Sequence, residues 1–136
     1  MKTIYAIAPL IETPGLTQAE GQKRLDPLSD GDFKIISLFL DRGPSSVENE
    51  IDEALCVPNI IEKGLWAKRQ GAAGIFIDCM LDPGVRALRT ALDIPVVRPA
   101  ETAFHLAATL GHQFGIIDIG GDTAAMVEEQ VTRYGL

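Results

Sequence analysis

Residues 75–84 read Ile-Phe-Ile-Asp-Cys-Met-Leu-Asp-Pro-Gly, and this stretch decides the fold prediction for the chain. The apolar run Gly74–Ile77 has high β-propensity and predicts a buried strand that stops at Cys79. Asp82 and Pro83 then match the N-cap and the first residue of a helix. Ligands bind open α/β sheets at the carboxyl ends of the strands. The stretch therefore predicts an α/β fold with Cys79 at the ligand-binding edge of its sheet.

Short apolar strands and amphipathic helices alternate on both sides of this stretch. Further strands are predicted at residues 3–8, 33–38, 94–97 and 114–119. Helices are predicted at residues 16–24, 47–55, 59–70, 83–92, 100–110 and 123–134. Strands that alternate with helices at this spacing predict an α/β fold, a parallel sheet with helices on both faces.

The bulk composition narrows the class of protein. The 136 residues suffice for one domain of ordinary size. The formal net charge of −7 argues against nucleic acid and against an anionic membrane surface as the main partner. No apolar run approaches the ~20 residues that span a bilayer. Two widely spaced cysteines without a secretory segment predict free thiols and a cytoplasmic location.

The position of Cys79 alone supports two interpretations. A thiol in a turn that leads into a helix lies among free backbone N–H groups, which favour the thiolate and predict a nucleophile or a proton-transfer base. The alternative is a small buried side chain that closes the strand, the commoner role of a free cysteine. The other thiol, Cys56, falls within or just after the helix predicted at 47–55, so we expect it to pack in the interior.

Three segments carry a family resemblance. They are Gly43-Pro-Ser-Ser-Val-Glu-Asn-Glu-Ile-Asp-Glu-Ala54, Asp78-Cys-Met-Leu-Asp-Pro-Gly84, and Ile94-Pro-Val-Val97 leading to Glu101-Thr-Ala-Phe-His-Leu-Ala107. In order and spacing they resemble the aspartate/glutamate racemase superfamily, and its hydantoin racemase branch most closely. The resemblance implies a flavodoxin-like first domain of a two-domain fold, with the active site between the domains. It also implies catalysis without a cofactor, by one strand-end cysteine from each domain.

By this resemblance Cys79 is the cysteine of the first domain, and it transfers a proton at a carbon next to a carbonyl. Racemisation needs a base on one face of that carbon and an acid on the other, and a thiolate–thiol pair exchanges these roles with the direction of reaction. The enolate between them needs N–H donors. The other residues expected to contact the substrate lie on the same rim: Pro9, Ser45, Ser46, Met80, Leu81, Asp82 and Glu101.

These rim residues offer different groups. Met80 and Leu81 offer backbone N–H groups directly after Cys79. Ser45 and Ser46 offer hydroxyls, or else cap the next helix through a capping box between Ser45 and Glu48. Asp82 keeps two roles open in the same way, as a cap of the next helix or as an acid beside Cys79. Glu101 begins a helix that faces the predicted site.

The resemblance also divides the chain. Residues 1–111 are expected to form the first domain and residues 112–136 the start of a truncated second domain. The second cysteine of the family lies beyond position 136, so the chain is expected to be a fragment without turnover of its own. The resemblance implies a small-molecule partner, a hydantoin or an amino-acid-like compound. The predicted strand at 114–119 has no sheet of its own, which predicts a homo-oligomer.

Other classes are less consistent with the sequence. A phospho-receiver domain needs an acidic pair after its first strand and a lysine after its fifth, and the chain has Ala8-Pro9-Leu10 and Asp118-Ile119-Gly120 there. The first strand is followed by no Gly-rich phosphate loop. The acidic and imidazole stripe of Glu101, His105 and His112 predicts a solvated helix face rather than a metal site. The alternative that stays open is a non-catalytic, truncated α/β domain for assembly or for small-ligand binding.

Overall fold

The computed structural model of the chain describes all residues, 1–136. Its strands are β1 (Lys2–Ile11), β2 (Phe33–Leu40), β3 (Gly74–Ile77) and β4 (Val96–Val97). Its helices are α1 (Gln18–Leu25), α2 (Glu50–Arg69), α3 (Val85–Ala91), α4 (Pro99–Leu110) and α5 (Asp122–Arg133), with a 3₁₀ turn at Asp26–Leu28. The four strands form one parallel sheet in the order β2-β1-β3-β4. The predicted α/β fold with a parallel sheet is confirmed.

Helices cover both faces of the sheet. Alternate residues of β2 point to opposite faces, so each face offers side chains for a helix to pack on. Leu38 and Leu40 belong to the main hydrophobic core, to which α2 contributes. Ser37 and Phe39 face the other way and meet α1. A Cβ added to Gly21 of α1 would lie 2.6 Å from the Ser37 Oγ, so only glycine allows this close approach.

The core lies between α2, α3 and the sheet. Its largest fully buried aliphatic side chains are Ile7, Ile60, Ile75, Ile77, Val85 and Leu88. Each contributes about 1.5–3 kcal/mol by leaving water. The carboxyl ends of the adjacent strands β1 and β3 are therefore fixed by a closely packed core.

The segment after β2 differs from its prediction. Instead of two helices at 47–55 and 59–70, α2 runs without a break and contains Pro58. Its N-cap is Asn49, whose Oδ1 accepts the N–H groups of Ile51 at 2.9 Å and Asp52 at 3.0 Å. The capping box predicted from Ser45 is therefore wrong, because a better acceptor lies four residues later. Buried side chains on both sides of Pro58 hold the two halves of the helix on the same core.

The first strand is longer than predicted. β1 continues through Pro9 to Ile11 instead of ending at residue 8. Proline donates no hydrogen bond to a neighbouring strand. The register accordingly shifts between the pairs Ile7–Leu38 and Ile11–Leu40. The resulting irregularity accommodates the buried Pro9 side chain, so this residue belongs to the sheet and not to an open turn.

The fifth strand predicted at residues 114–119 does not form. These residues have no strand pairing, and Ile117 and Ile119 are largely exposed. β4 has only two residues, so the sheet offers no adequate edge for another strand. Phe114 stacks on Phe104 of α4 with 6.0 Å between the ring centroids. The helix that follows, α5, forms as predicted and packs back onto the loop after β3.

None of the helices has the length and apolarity that crossing a bilayer requires.

Candidate active site at the carboxyl edge of the sheet

Cys79 lies just beyond the carboxyl end of β3, as predicted. The N–H of Asp78 donates to the carbonyl of Ile7 at 2.9 Å and prolongs the pairing with β1 by one residue. The N–H of Cys79 then turns back to the carbonyl of Ile77 at 2.8 Å. The chain therefore leaves the sheet in a tight turn, with the thiol half-buried beside the central strand pair.

The turn after Cys79 depends on Asp82. Its N–H donates to the Cys79 carbonyl at 3.1 Å, and its φ of 53° is the only left-handed backbone conformation among the non-glycine residues. Aspartate tolerates that conformation better than most residues. Gly84, with a φ of 71°, then serves as the N-cap of α3. The prediction that Asp82 and Pro83 begin this helix is therefore wrong, because the helix starts only at Val85.

The Asp82 carboxylate caps a different helix. It accepts the N–H groups of Ala100 at 3.2 Å and Glu101 at 3.3 Å, in the first turn of α4. It also accepts the hydroxyl of Tyr134 at 2.6 Å. Asp82 is only 8% exposed, and this burial raises the pKa of its carboxyl despite the three hydrogen bonds that oppose the rise. The residue joins the Cys79 turn to α4 and to the chain just after α5.

The Cys79 thiol is protonated in this environment. Burial raises its pKa to about 11, while a hydrogen bond from the Leu81 backbone N–H lowers it. The carboxylates of Asp82, Glu53 and Asp78 raise it further. The expectation that free N–H groups favour the thiolate is therefore wrong, because the net shift of the Cys79 pKa is upward. One donor is present, as predicted for Leu81, but burial and three negative charges outweigh it.

Cys56 has the packing role that the sequence predicted. It lies in α2, fully buried in the main core, and its thiol donates to the carbonyl of Glu53 at 3.1 Å. Burial raises its pKa to about 12. This thiol is neither exposed nor at a strand end.

The two predicted serines lie on the loop after β2, in a polar cleft. The cleft is about 650 Å³ and its lining includes Arg42, Ser45, Ser46 and Asn59 but not Cys79. The Ser46 Oγ donates to the Glu48 carboxylate at 2.7 Å. The serines therefore share the carboxyl edge with Cys79 but do not join its immediate surroundings.

Glu101 lies close to the Cys79 turn, but its carboxylate is already paired. The Oε2 atom lies 3.3 Å from Arg89 and 3.3 Å from Arg98. The Arg98 side chain is only 13% exposed, and its guanidinium stands 5.7 Å from the centroid of the Tyr134 ring. Glu101 thus donates its backbone N–H to the Asp82 carboxylate, and its own carboxylate forms ion pairs with Arg89 and Arg98.

Two residues of this site were missed in the sequence: Gln130 of α5 and Tyr134, the residue that caps the end of this helix. Gln130 is 3% exposed, and its Nε2 donates to the carbonyl of Met80 at 3.1 Å. Tyr134 follows four residues later on the same side of the helix and reaches Asp82. The signal in the sequence was two polar side chains four residues apart on a short amphipathic helix, a spacing that places them on the same side. Met80 therefore contributes its carbonyl to this contact, while its side chain is exposed.

The imidazole groups of α4 form no metal centre. The His105 Nδ1 contacts the Glu101 carbonyl at 2.7 Å, and His112 lies beyond the end of the helix. No group of three or more histidine, cysteine, aspartate or glutamate side chains has a geometry that could hold a metal ion.

The fold and the site together define a class, an α/β domain with a cysteine at the carboxyl edge of its parallel sheet. The family model for Asp/Glu/hydantoin racemases matches residues 21–136. The chain belongs to this family.

Similar proteins include hydantoin racemases and allantoin racemases. The hydantoin racemase of Pseudomonas sp. (strain NS671) is 33% identical over 105 residues, which are 77% of this chain and 42% of that protein. The hydantoin racemase of Paenarthrobacter aurescens is 37% identical over 95 residues, 69% of this chain and 40% of that protein. The allantoin racemase from Klebsiella pneumoniae has a TM-score of 0.89 at 25% identity, over 99% of this chain and 54% of that chain. The chain thus spans about half or less of these relatives.

Proposed function

We propose that the chain contributes one proton-transfer cysteine, Cys79, to a cofactor-independent racemase that acts at a carbon next to a carbonyl. The observation that carries the proposal is the position of Cys79, half-buried just beyond the carboxyl end of β3. Similarity to hydantoin and allantoin racemases favours a hydantoin-like substrate over a free amino acid. The substrate therefore brings an acidic C–H bond and a carbonyl that accepts charge.

The protonated state of Cys79 gives it a definite first role. A base on the far face takes the proton of the carbon, and the C–H electron pair enters the carbonyl to form an enolate. The Cys79 S–H then delivers its proton to the near face, and the new C–H bond inverts the centre. The Leu81 N–H stabilises the thiolate that remains. In the reverse direction this thiolate is the base.

The base on the far face is proposed to come from polypeptide other than these residues. Cys56 is fully buried in the core, so it cannot reach a substrate that touches Cys79. The family resemblance supports a second domain, for which residues 112–136 supply the first segment. The division at residue 111 stays a prediction. Alone, the chain is expected to bind a hydantoin without racemising it.

Deuterium exchange tests the role of Cys79. A chiral 5-substituted hydantoin is incubated with the chain in deuterated water, and loss of the ring proton is followed by NMR above the rate in buffer. For the enantiomer whose ring proton faces Cys79, we expect slow exchange with retained configuration, because the minor thiolate form of Cys79 removes that proton and returns a deuteron to the same face. The exchange should rise with pH, be abolished in Cys79→Ser and be kept in the matched variant Cys56→Ser. Equal exchange in the wild type and in Cys79→Ser would contradict the proposal.

We also propose a homo-oligomer in a reducing, cytoplasmic setting, where both free cysteines stay reduced. Ile116 lines a shallow hollow with Val127 and Val131 of α5, and Ile117 and Ile119 on the same segment are largely exposed. Such a surface favours association. Light scattering tests it, with Ile117→Lys as the variant that should dissociate the oligomer. A monomer at micromolar concentration contradicts this proposal and with it the alternative function as an assembly module.

A further inference from the structure

The C-terminal helix makes two polar contacts with the loop that carries Cys79. The Tyr134 hydroxyl donates to the Asp82 Oδ2 at 2.6 Å. The Gln130 Nε2 donates to the Met80 carbonyl at 3.1 Å. These contacts bridge about fifty residues of sequence and bracket the short loop on both sides of Leu81, the residue whose N–H reaches the Cys79 sulfur.

Asp82 needs such a contact because its conformation is costly. A non-glycine residue with a φ of 53° is strained relative to ordinary backbone. Its carboxylate is also buried, where an unpaired charge is unfavourable. The Tyr134 hydroxyl supplies the shortest of its three hydrogen bonds. The left-handed turn therefore persists because partners from elsewhere in the fold hold its carboxylate.

Tyr134 is itself fixed from α4. The Arg98 guanidinium lies 5.7 Å from its ring centroid, and the Phe104 ring lies 6.5 Å from it at an angle of 51°. These contacts fix the direction of the hydroxyl. The ring thus lies between α4 and the loop after β3.

We propose that Tyr134 and Gln130 are positioning residues for Cys79: they hold the loop at residues 79–82 closed, so that the thiol stays half-buried. This inference rests on the proposed function in giving Cys79 a chemical role. The contact itself is a property of the folded chain. Loss of the Tyr134 donor lets Asp82 leave the left-handed conformation, and loss of the Gln130 donor frees the Met80 carbonyl. Either change loosens the loop and exposes the thiol to solvent.

The test is the pH profile of Cys79 alkylation by iodoacetamide, read by peptide mapping. In Tyr134→Phe we expect the pKa of Cys79 to fall toward that of a solvated thiol, with alkylation at about pH 8 roughly tenfold faster for each unit of the fall. The matched control is Tyr5→Phe, which removes the other tyrosine hydroxyl of the chain, in β1 and away from the loop. Its profile is expected to equal that of the wild type.

Amide hydrogen exchange separates positioning from general destabilisation. In Tyr134→Phe the Leu81 amide is expected to exchange at least about tenfold faster while the core amides of β1 keep their protection. Gln130→Met removes the contact with the Met80 carbonyl and a longer one, at 3.4 Å, to the Tyr134 hydroxyl, but leaves the Tyr134–Asp82 hydrogen bond in place. It is expected to show a smaller change of the same kind and serves if Tyr134→Phe does not fold. Wild-type profiles and wild-type Leu81 exchange in the folded variants would overturn the proposal. Because neither readout requires turnover, failure of the racemase assignment in Cys79→Ser leaves this result intact.

Discussion

The two cysteines of the chain show how location decides what a thiol can do. Cys56 lies inside α2, and its S–H donates to a carbonyl of its own helix. Cys79 lies in a loop beyond β3, half-buried, with one backbone N–H directed at its sulfur. Burial raises both pKa values, to about 12 for Cys56 and to about 11 for Cys79. The thiols thus differ less in acidity than in what surrounds them.

The two cysteines therefore differ in the access of a substrate to the thiol more than in the ease of thiolate formation. A thiolate-rich cysteine was the expectation for Cys79, yet the residue sits among the carboxylates of Asp82, Glu53 and Asp78. What distinguishes it from Cys56 is partial exposure to solvent and a backbone N–H that lowers the pKa of its thiol. A protonated thiol in that position suits an acid that gives its proton to an enolate.

The largest expected effect is the difference in alkylation between the two thiols. We expect Cys79 to react with iodoacetamide about a hundredfold faster than Cys56, because Cys56 must await a local opening of the core. The rate at Cys79 should rise about tenfold per pH unit and level off only near its pKa of about 11, since the thiolate is the reactive form. Mass spectrometry of the labelled peptides measures both rates.

Denaturant provides the control for this contrast. In the unfolded chain both thiols are solvated, so their rates should converge to within about twofold. Faster labelling of Cys56 in the folded chain would sink the assignment of Cys79 as the accessible thiol.

The second expected effect is a loss of stability at alkaline pH. Both thiols have folded pKa values above the ordinary 9.0, so their contribution to stability is complete below pH 9.0 and is lost as pH rises through the folded values of about 11 and 12. Each thiol should lower the free energy of unfolding by about 1.4 kcal/mol per pH unit in this window, a tenfold change in the folding equilibrium. Urea titrations between about pH 8 and 11 measure the slope.

Cys56→Ala supplies the comparison for that slope. The variant loses core packing at every pH, but the dependence on pH should fall by the contribution of one thiol. An unchanged slope in Cys56→Ala would mean that this thiol does not titrate with folding.

The sequence predicts well what is local. The apolar run of β3 and the turn residues after it suffice to predict that Cys79 lies at the carboxyl end of a strand. A short apolar run bounded by turn residues is typical of a buried central strand. Residues 114–119 have the same apolar character but form no strand, because a strand also needs a neighbour and β4 ends after two residues. A single sequence does not reveal which edge is available.

The parts of the site that could not be predicted are long-range. Asp82 precedes a proline and resembles the cap of the nearest helix, yet its carboxylate caps α4, 18 residues away at Ala100. Its contact with Tyr134 spans 52 residues. A carboxylate bonds to whichever donors the tertiary fold brings to it, and its neighbours in sequence carry no signal for that choice.

The smallest expected effect separates the charges that act on the two thiols. Glu53 raises the pKa of both cysteines, whereas Asp82 is among the principal charges only for Cys79. We therefore expect Asp82→Asn, which can keep the left-handed backbone and the Tyr134 acceptor, to speed alkylation of Cys79 about threefold at about pH 8 without affecting Cys56. Glu53→Gln should also speed alkylation of Cys79, but less than Asp82→Asn does, while Cys56 stays limited by the opening of the core. Peptide mapping at a fixed reagent concentration gives the ratio of the two rates directly, and a ratio that moves in Glu53→Gln but not in Asp82→Asn would show that a charge other than Asp82 sets the difference between the thiols.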